Sequence, residues 1–225
     1  MLSTYYDTNS VKGAVSAKQH RALIGGMWEE IGKLQLQYLV DDGLTPKMRL
    51  LDIGCGCLRG GVHFVRYLEK GNYYGLDMSQ ALLDVGYEDE LTALGLQDRL
   101  PRENLICTPD FDMSSVGKTV DAAIALSVFT HLPLNHIKLC LARLTPVMRP
   151  GGRFYATFFV VPDGKNWIDP LTHTPGGIVT HPTQDPYHYR PNDIEHMTSE
   201  MPWKLDRLTG WNHPRNQEIA VFERL

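Results

Sequence analysis

Apolar runs too short for long helices recur through the middle of this 225-residue chain, interleaved with segments of helical spacing. "MRLLDI", "NYYGLD", "NLICT", "VDAAIALS" and "GRFYATFFVV" run apolar without polar alternation, the mark of strands buried on both faces. Between them, "RGGVHFVRYLEKG" reads as a helix ended by Gly71. A second helix is capped by Ser79 and continues through "ALLDVGYEDELTALG", and "LPLNHIKLCLARLTPVM" is a third, stopped by Pro150-Gly151-Gly152. Strand–helix alternation of this kind builds a parallel sheet with helices on both sides, so the fold class is α/β, doubly wound.

The two ends depart from that rhythm. "NDIEHMTSEM" reads as a short capped helix, and "KLDRLTGW" and "EIAVFERL", separated by the turn-rich "NHPRNQ", read as an antiparallel hairpin that brings the sheet to seven strands. Ahead of the sheet, residues 15–41 carry apolar positions at helical spacing broken by Gly25-Gly26, which predicts two helices. The organisation expected is a helical cap over 1–45 and a main domain over 46–225, joined as one unit. Residues from Pro162 to Pro191 hold Pro, Gly, His, Thr and Asp without periodicity, too long for an ordinary connection, and are expected to form a functional loop.

Charge narrows the partners. Lys+Arg total 22 against 26 Asp+Glu, a net charge of −4, so no basic excess points to a nucleic acid or an anionic membrane. No apolar stretch reaches the ~18–20 residues of a span, and the opening "MLSTYYDTNSVKG" lacks the charged-then-apolar pattern of a secretory leader, so a cytoplasmic setting is expected. Cys55, Cys57, Cys107 and Cys140 fit no disulfide framework. Cys55-x-Cys57 has no second pair at zinc-finger spacing, and the nine histidines form no metal-ligand motif, so no metal is expected. Cys55 and Cys57 read as small fillers of a glycine turn.

That turn, "LLDIGCGCLRGG", lies where the first strand passes into a helix, with the spacing Asp52-x-Gly54-x-Gly56-x-x-x-Gly60. Glycine serves where φ is positive or where a ligand approaches the main chain, and the carboxyl edge of an open α/β sheet is where ligands bind. Asp77 ends the second strand, 21 residues after Gly56. An acid at that place can accept hydrogen bonds from both hydroxyls of a ribose. Bland readings stand beside these: a tight strand–helix turn needs glycine without any ligand, and Asp77 can cap the helix near Ser79.

Taken with "TPDFDM", "VDAAIALSVFTHL" and "LTPVMRPGGRFYATFF" in that order, "LLDIGCG" and "YYGLDMS" resemble the class I S-adenosylmethionine-dependent methyltransferases across most of residues 48–225. The resemblance implies that S-adenosylmethionine is the cofactor. It implies that Asp52 and the main chain of Gly54 and Gly56 hold the methionine portion, and Asp77 the ribose. Asp110 or Phe111 would border the adenine, with Ser127 and Phe129 as the floor. Cys57-Leu58-Arg59 departs from the family's commonest pattern, and for Arg59 a salt link and a contact to a substrate carboxylate both stay open.

Methyl transfer from a sulfonium is an in-line displacement in which alignment does much of the work, and a base helps when the nucleophile is a hydroxyl. His131, directly after the fourth strand, and His188, between Tyr187 and Tyr189, are the candidate bases. The sequence "SVFTHL" stands where amino-methylating nucleic-acid enzymes of this fold carry an Asn/Asp-Pro-Pro-Tyr/Phe tetrapeptide. The acceptor expected is therefore a small molecule, through a hydroxyl of a metabolite or saccharide, with Trp167, Tyr187, Tyr189 and Trp211 as an aromatic rim. Two other classes remain open on the residues. An NAD-dependent oxidoreductase is disfavoured by the Gly-x-Gly-x-x-x-Gly spacing and the terminal hairpin; a binding protein of the same fold would keep every cofactor motif.

Overall fold

In the computed structural model, which describes residues 7–225, the apolar runs lie side by side as one twisted sheet. Its strands are β1 (Leu50–Ile53), β2 (Tyr73–Asp77), β3 (Leu105–Cys107), β4 (Val120–Ala125), β5 (Met148–Val160), β9 (Trp203–Gly210) and β10 (Glu218–Arg224), in the order β3-β2-β1-β4-β5-β10-β9. The first five are parallel to one another, whereas β10 runs antiparallel to both β5 and β9. The mostly parallel path of seven strands closed by an antiparallel pair is as the sequence predicts, and a short further strand beside β5 brings the sheet to eight. The order reverses between β1 and β4, which opens a crevice at their carboxyl ends.

The helices follow the helical spacing with shorter bounds: α4 is Gly61–Tyr67, α5 Gln80–Val85, α6 Leu134–Leu144 and α7 Pro191–His196. Ser79 caps α5 as predicted, its Oγ accepting the N–H of Leu82 at 3.4 Å. Beyond α5 the chain widens into a π-helical stretch, Gly86–Leu91, rather than continuing the α-helix. The stop signal at Pro150-Gly151-Gly152 acts differently from the expectation. Helix α6 ends at Leu144, and these three residues lie inside β5, where Gly151 takes φ +70° and the register against β4 slips. Proline and glycine here make a bulge, not a helix end.

Among the described residues the N-terminal region holds three helices where two were expected: α1 (Thr8–Ser16), α2 (His20–Leu23) and α3 (Trp28–Asp41). Asp7 caps the first through the N–H groups of Asn9 and Ser10, and Gly25, Gly26 and Met27 all take positive φ before the third. Val11 packs with Cys57, Leu82 and Val85, so α1 rests on α5 and on the glycine turn. The first six residues of the 1–45 segment lie outside the described residues. Two larger apolar clusters fill the two faces of the sheet, one around Phe129, Phe154, Phe158 and Phe222, the other around Ile31, Leu50, Phe64 and Tyr73.

The stretch predicted as irregular after β5 contains a hairpin, β6 (Leu171–His173) with β7 (Ile178–Thr180), and a short strand β8 (His188–Tyr189) parallel to the end of β5. Their brevity hides them from periodicity. Among the described residues, no helix is long and apolar enough to cross a membrane.

Candidate active site

The crevice between β1 and β4 deepens into a cavity enclosing about 1040 Å³ including its mouth. The glycine turn forms one wall. Gly54 and Gly56 have φ +73° and +55°, a region that costs other L-residues roughly 1–2 kcal/mol. A Cβ on Gly54 would collide with the side chain of Val128, and one on Gly60 would lie 2.5 Å from Gln35 Oε1. The turn thus keeps bare main chain toward the cavity while α3 and the β4 loop press against it.

Two carboxylates stand at the ends of adjacent strands. Asp77 lines the cavity, one oxygen accepting Gly56 N–H at 2.8 Å and the other Ser79 N–H at 2.9 Å, while burial raises its carboxyl above the ordinary value. Each oxygen keeps further acceptor capacity for hydroxyl donors. Asp52 is 4% exposed and accepts from Tyr73 Oη at 2.8 Å; burial pushes it up to about 7, against the lowering effect of that bond and of Arg59.

Opposite them lie Thr108, Pro109 and Phe111 after β3, and Leu126, Ser127 and Val128 after β4. Phe111 and Ser127 hold φ of +60° and +55°, a strain found where surrounding structure fixes a functional loop. For Ser127 the fixing groups are Thr157, whose Oγ1 accepts its N–H at 2.8 Å, and Gln217, which accepts its hydroxyl at 3.0 Å. Ile24, from the N-terminal segment, closes the glycine side. Arg59 joins it there: buried in the wall, it donates to the carbonyls of Ile24 and Gly26 at 3.2 and 3.0 Å, an interior tie to main chain.

His131 lines the other end, and its Nδ1 lies 2.5 Å from Asp185 Oδ1. Of the residues predicted for the site, Asp52, Gly54, Gly56, Asp77, Phe111, Ser127 and His131 meet at this one cavity. Three do not. Asp110 is turned to solvent, where it binds Thr108 Oγ1 at 2.8 Å, leaving Phe111 as the bordering residue of the pair. Phe129 is fully buried against Phe154 and Phe158 and does not line the cavity, which Ser127 and Val128 do. His188 is 4% exposed and both ring nitrogens are engaged, Nδ1 with Thr180 Oγ1 and Nε2 with the Trp167 carbonyl, each at 2.8 Å.

The aromatic rim also fails to assemble. Trp211 is buried edge-on to Tyr38, Tyr189 packs on Phe158 with Tyr187 stacked outside it, and Trp167 lies exposed beneath Arg190. Gln35, Thr108 and Asp185 carry no local signal, as polar residues on an apolar helix face or in loops, and Val128 is indistinguishable in sequence from its buried apolar neighbours.

Residues 51–154 match a family model described as a methyltransferase domain, over the strands and turns that build this cavity. Residues 51–154 of this chain read as a methyltransferase domain. Solved methyltransferases share its fold across nearly the whole length. The magnesium protoporphyrin IX methyltransferase from Synechocystis, solved with S-adenosylmethionine, superposes with a TM-score of 0.65 at 16% identity, covering 100% of this chain and 99% of that one. A mitomycin 7-O-methyltransferase gives 0.64 at 13% identity, covering 95% of this chain and 60% of that one. A glycopeptide N-methyltransferase solved with S-adenosylhomocysteine gives 0.62 at 14% identity, covering 86% and 90%. For this methyltransferase the cavity offers what such a cofactor requires: a side-chain-free turn, buried carboxylates at two strand ends and the flat apolar surface of Phe111.

Proposed function

We propose that this methyltransferase moves a methyl group from S-adenosylmethionine to a hydroxyl oxygen of a small metabolite or saccharide-type acceptor. The observation that carries the reading is the convergence of Asp77 and the bare Gly54–Gly56 turn with His131 on one cavity. In this reading residues 1–45 cap the domain of residues 46–225 as one unit, and the protein works in the cytoplasm. A small acceptor accords with the named substrates of two fold neighbours, a mitomycin and a glycopeptide.

Asp52 and the main chain of Gly54 and Gly56 hold the methionine portion. Asp77 takes the ribose hydroxyls, Phe111 borders the adenine, and Ser127 supports it from below. When bound, the cofactor supplies a methyl group already activated on a sulfonium, so that a C–O bond forms as the C–S bond breaks and its electron pair returns to sulfur. The chain's share is alignment, with rate effects of up to ~7–11 kcal/mol in well-oriented systems, and removal of one proton. His131 receives that proton from the acceptor hydroxyl on Nε2 and passes it to water, a contribution of typically ~10²–10⁴-fold. His188 has no part in this reading, because its ring is spent on Thr180 and Trp167.

Incubation of the purified chain with S-adenosylmethionine labelled in its methyl group, and with pooled small hydroxyl compounds or with nucleic acid, tests the assignment. Label should pass into the small-molecule pool. Label in DNA or RNA would overturn the acceptor class.

A further inference from the structure

We infer that Gln35, carried by the N-terminal helix α3, is a ligand-binding residue that donates its amide N–H groups to the carboxylate of the cofactor's amino-acid tail. The inference rests on the S-adenosylmethionine reading and deepens it: the N-terminal region then supplies a recognition group to the cavity, and not cover alone.

Three observations carry it. Gln35 shares the buried face of α3 with Ile31 and Leu39, is 3% exposed and lines the cavity. Its amide is pressed against the far end of the glycine turn, where a Cβ on Gly60 would lie 2.5 Å from Oε1 and 2.9 Å from Nε2, and Gly60 lines the same cavity.

The amide also has no hydrogen-bond partner among the described residues. Burying an unpaired amide carries a desolvation cost that native structures seldom leave standing. The other buried side-chain amides are satisfied. Asn104 donates to the Gly71 and Tyr73 carbonyls at 3.1 and 2.9 Å, and Gln217 accepts from Ser127 and Thr157 at 3.0 and 2.7 Å.

The third observation is where the donors of the glycine turn go. Gly54 and Cys55 N–H both donate to the Leu76 carbonyl, at 2.6 and 3.1 Å, Gly56 N–H to Asp77 at 2.8 Å, and Leu58 N–H to the Cys55 carbonyl at 3.0 Å. These main-chain donors are spent on building the turn itself. Arg59 shares the wall and adds positive charge, with Nη1 given to the Ile24 and Gly26 carbonyls. The amino-acid tail is a zwitterion. Asp52 suits its ammonium, and its carboxylate needs donors, of which the Gln35 amide holds two. Hydrogen bonds to an ionised acceptor are stronger than those between neutral groups.

A binding cycle on the full chain tests the inference. Calorimetry compares S-adenosylhomocysteine with its decarboxylated analogue, the aminopropyl thioether of adenosine, which keeps the ammonium and lacks the carboxylate. Both are titrated into the wild type and into Gln35→Met, which keeps the length of the side chain and loses the amide. The wild type should prefer S-adenosylhomocysteine by about tenfold or more, and Gln35→Met should erase most of that preference by weakening S-adenosylhomocysteine alone. No preference in the wild type, a preference that persists in Gln35→Met, or an equal weakening of both ligands overturns the inference; the last is what a packing role gives. If Gln35→Met does not fold, a crystal structure of the wild type with S-adenosylhomocysteine decides. Gln35 Nε2 within hydrogen-bond reach of the tail carboxylate supports the inference, and a separation beyond about 3.5 Å overturns it. Failure of the cofactor reading appears separately, as a wild type that binds neither ligand, and takes this inference with it.

Discussion

Asp77 and Gly56 are joined by a 2.8 Å hydrogen bond from the glycine N–H to the carboxylate, so the buried acid that ends the second strand also fixes the glycine turn of the first. In the proposed arrangement the same side chain takes the ribose hydroxyls. Asp77→Ala should weaken S-adenosylhomocysteine binding by about 1–3 kcal/mol, or ~5–150-fold, and also lower the melting temperature, because Gly56 and Ser79 lose a buried acceptor. Titration calorimetry with a thermal scan checks both. A normal affinity in a destabilised protein would leave Asp77 with the turn alone.

The two turn glycines should respond differently to a methyl group. Gly54→Ala meets Val128 at once and also carries φ +73°, whereas at Gly56 the nearest atom, the Ile24 Cγ2, is 3.4 Å away. Gly56→Ala should cost about 1–2 kcal/mol, the strain of the left-handed backbone, and Gly54→Ala clearly more. Chemical denaturation of the two variants ranks them; equal losses would mean that Val128 yields freely.

Asp52 gives the cavity a pH dependence. Burial raises its carboxyl from 3.8 to about 7, so between those values the folded chain keeps a proton that the unfolded chain has released. Its contribution to stability is full below the unfolded value and is lost as pH rises through about 7. The cofactor-free protein should lose stability across that window, and Asp52→Asn should flatten the trend. S-adenosylhomocysteine, which brings an ammonium group toward Asp52 in the proposed arrangement, should bind more tightly as pH rises through the same range and release a proton on binding. Proton uptake on binding would contradict this placement.

His188→Ala should behave as a packing variant. It leaves the Trp167 carbonyl without its donor and takes one partner from Thr180 Oγ1, which keeps His173 Nε2 and the Leu171 carbonyl, a loss of about 1–3 kcal/mol in denaturation, with S-adenosylhomocysteine affinity within about threefold of wild type. Loss of acceptor turnover at unchanged stability would instead restore a catalytic role to this ring.

The boundary between what was legible and what was not follows the range of the forces involved. Apolar runs announced the five parallel strands β1 to β5, the turn-rich break announced the terminal antiparallel pair, and the glycine spacing with Asp77 located the cavity, because these are local patterns with a local cause. Phe129 and Ser127, two residues apart, show where that reasoning stops: one is buried in the aromatic cluster and the other faces the cavity, a division set by the left-handed turn at Ser127 that Thr157 and Gln217 hold. The same holds for Asp185 and His188, three residues apart in an aperiodic loop. The pairing of one with His131 and the burial of the other depend on β8 docking along β5, which leaves no trace in periodicity.

Calorimetric titration of the purified chain with S-adenosylhomocysteine and, separately, with NADH tests the central claim most directly. One saturable site is expected for S-adenosylhomocysteine, weakened in Asp77→Ala, and no heat of binding from NADH. Binding of NADH with none of S-adenosylhomocysteine would contradict it.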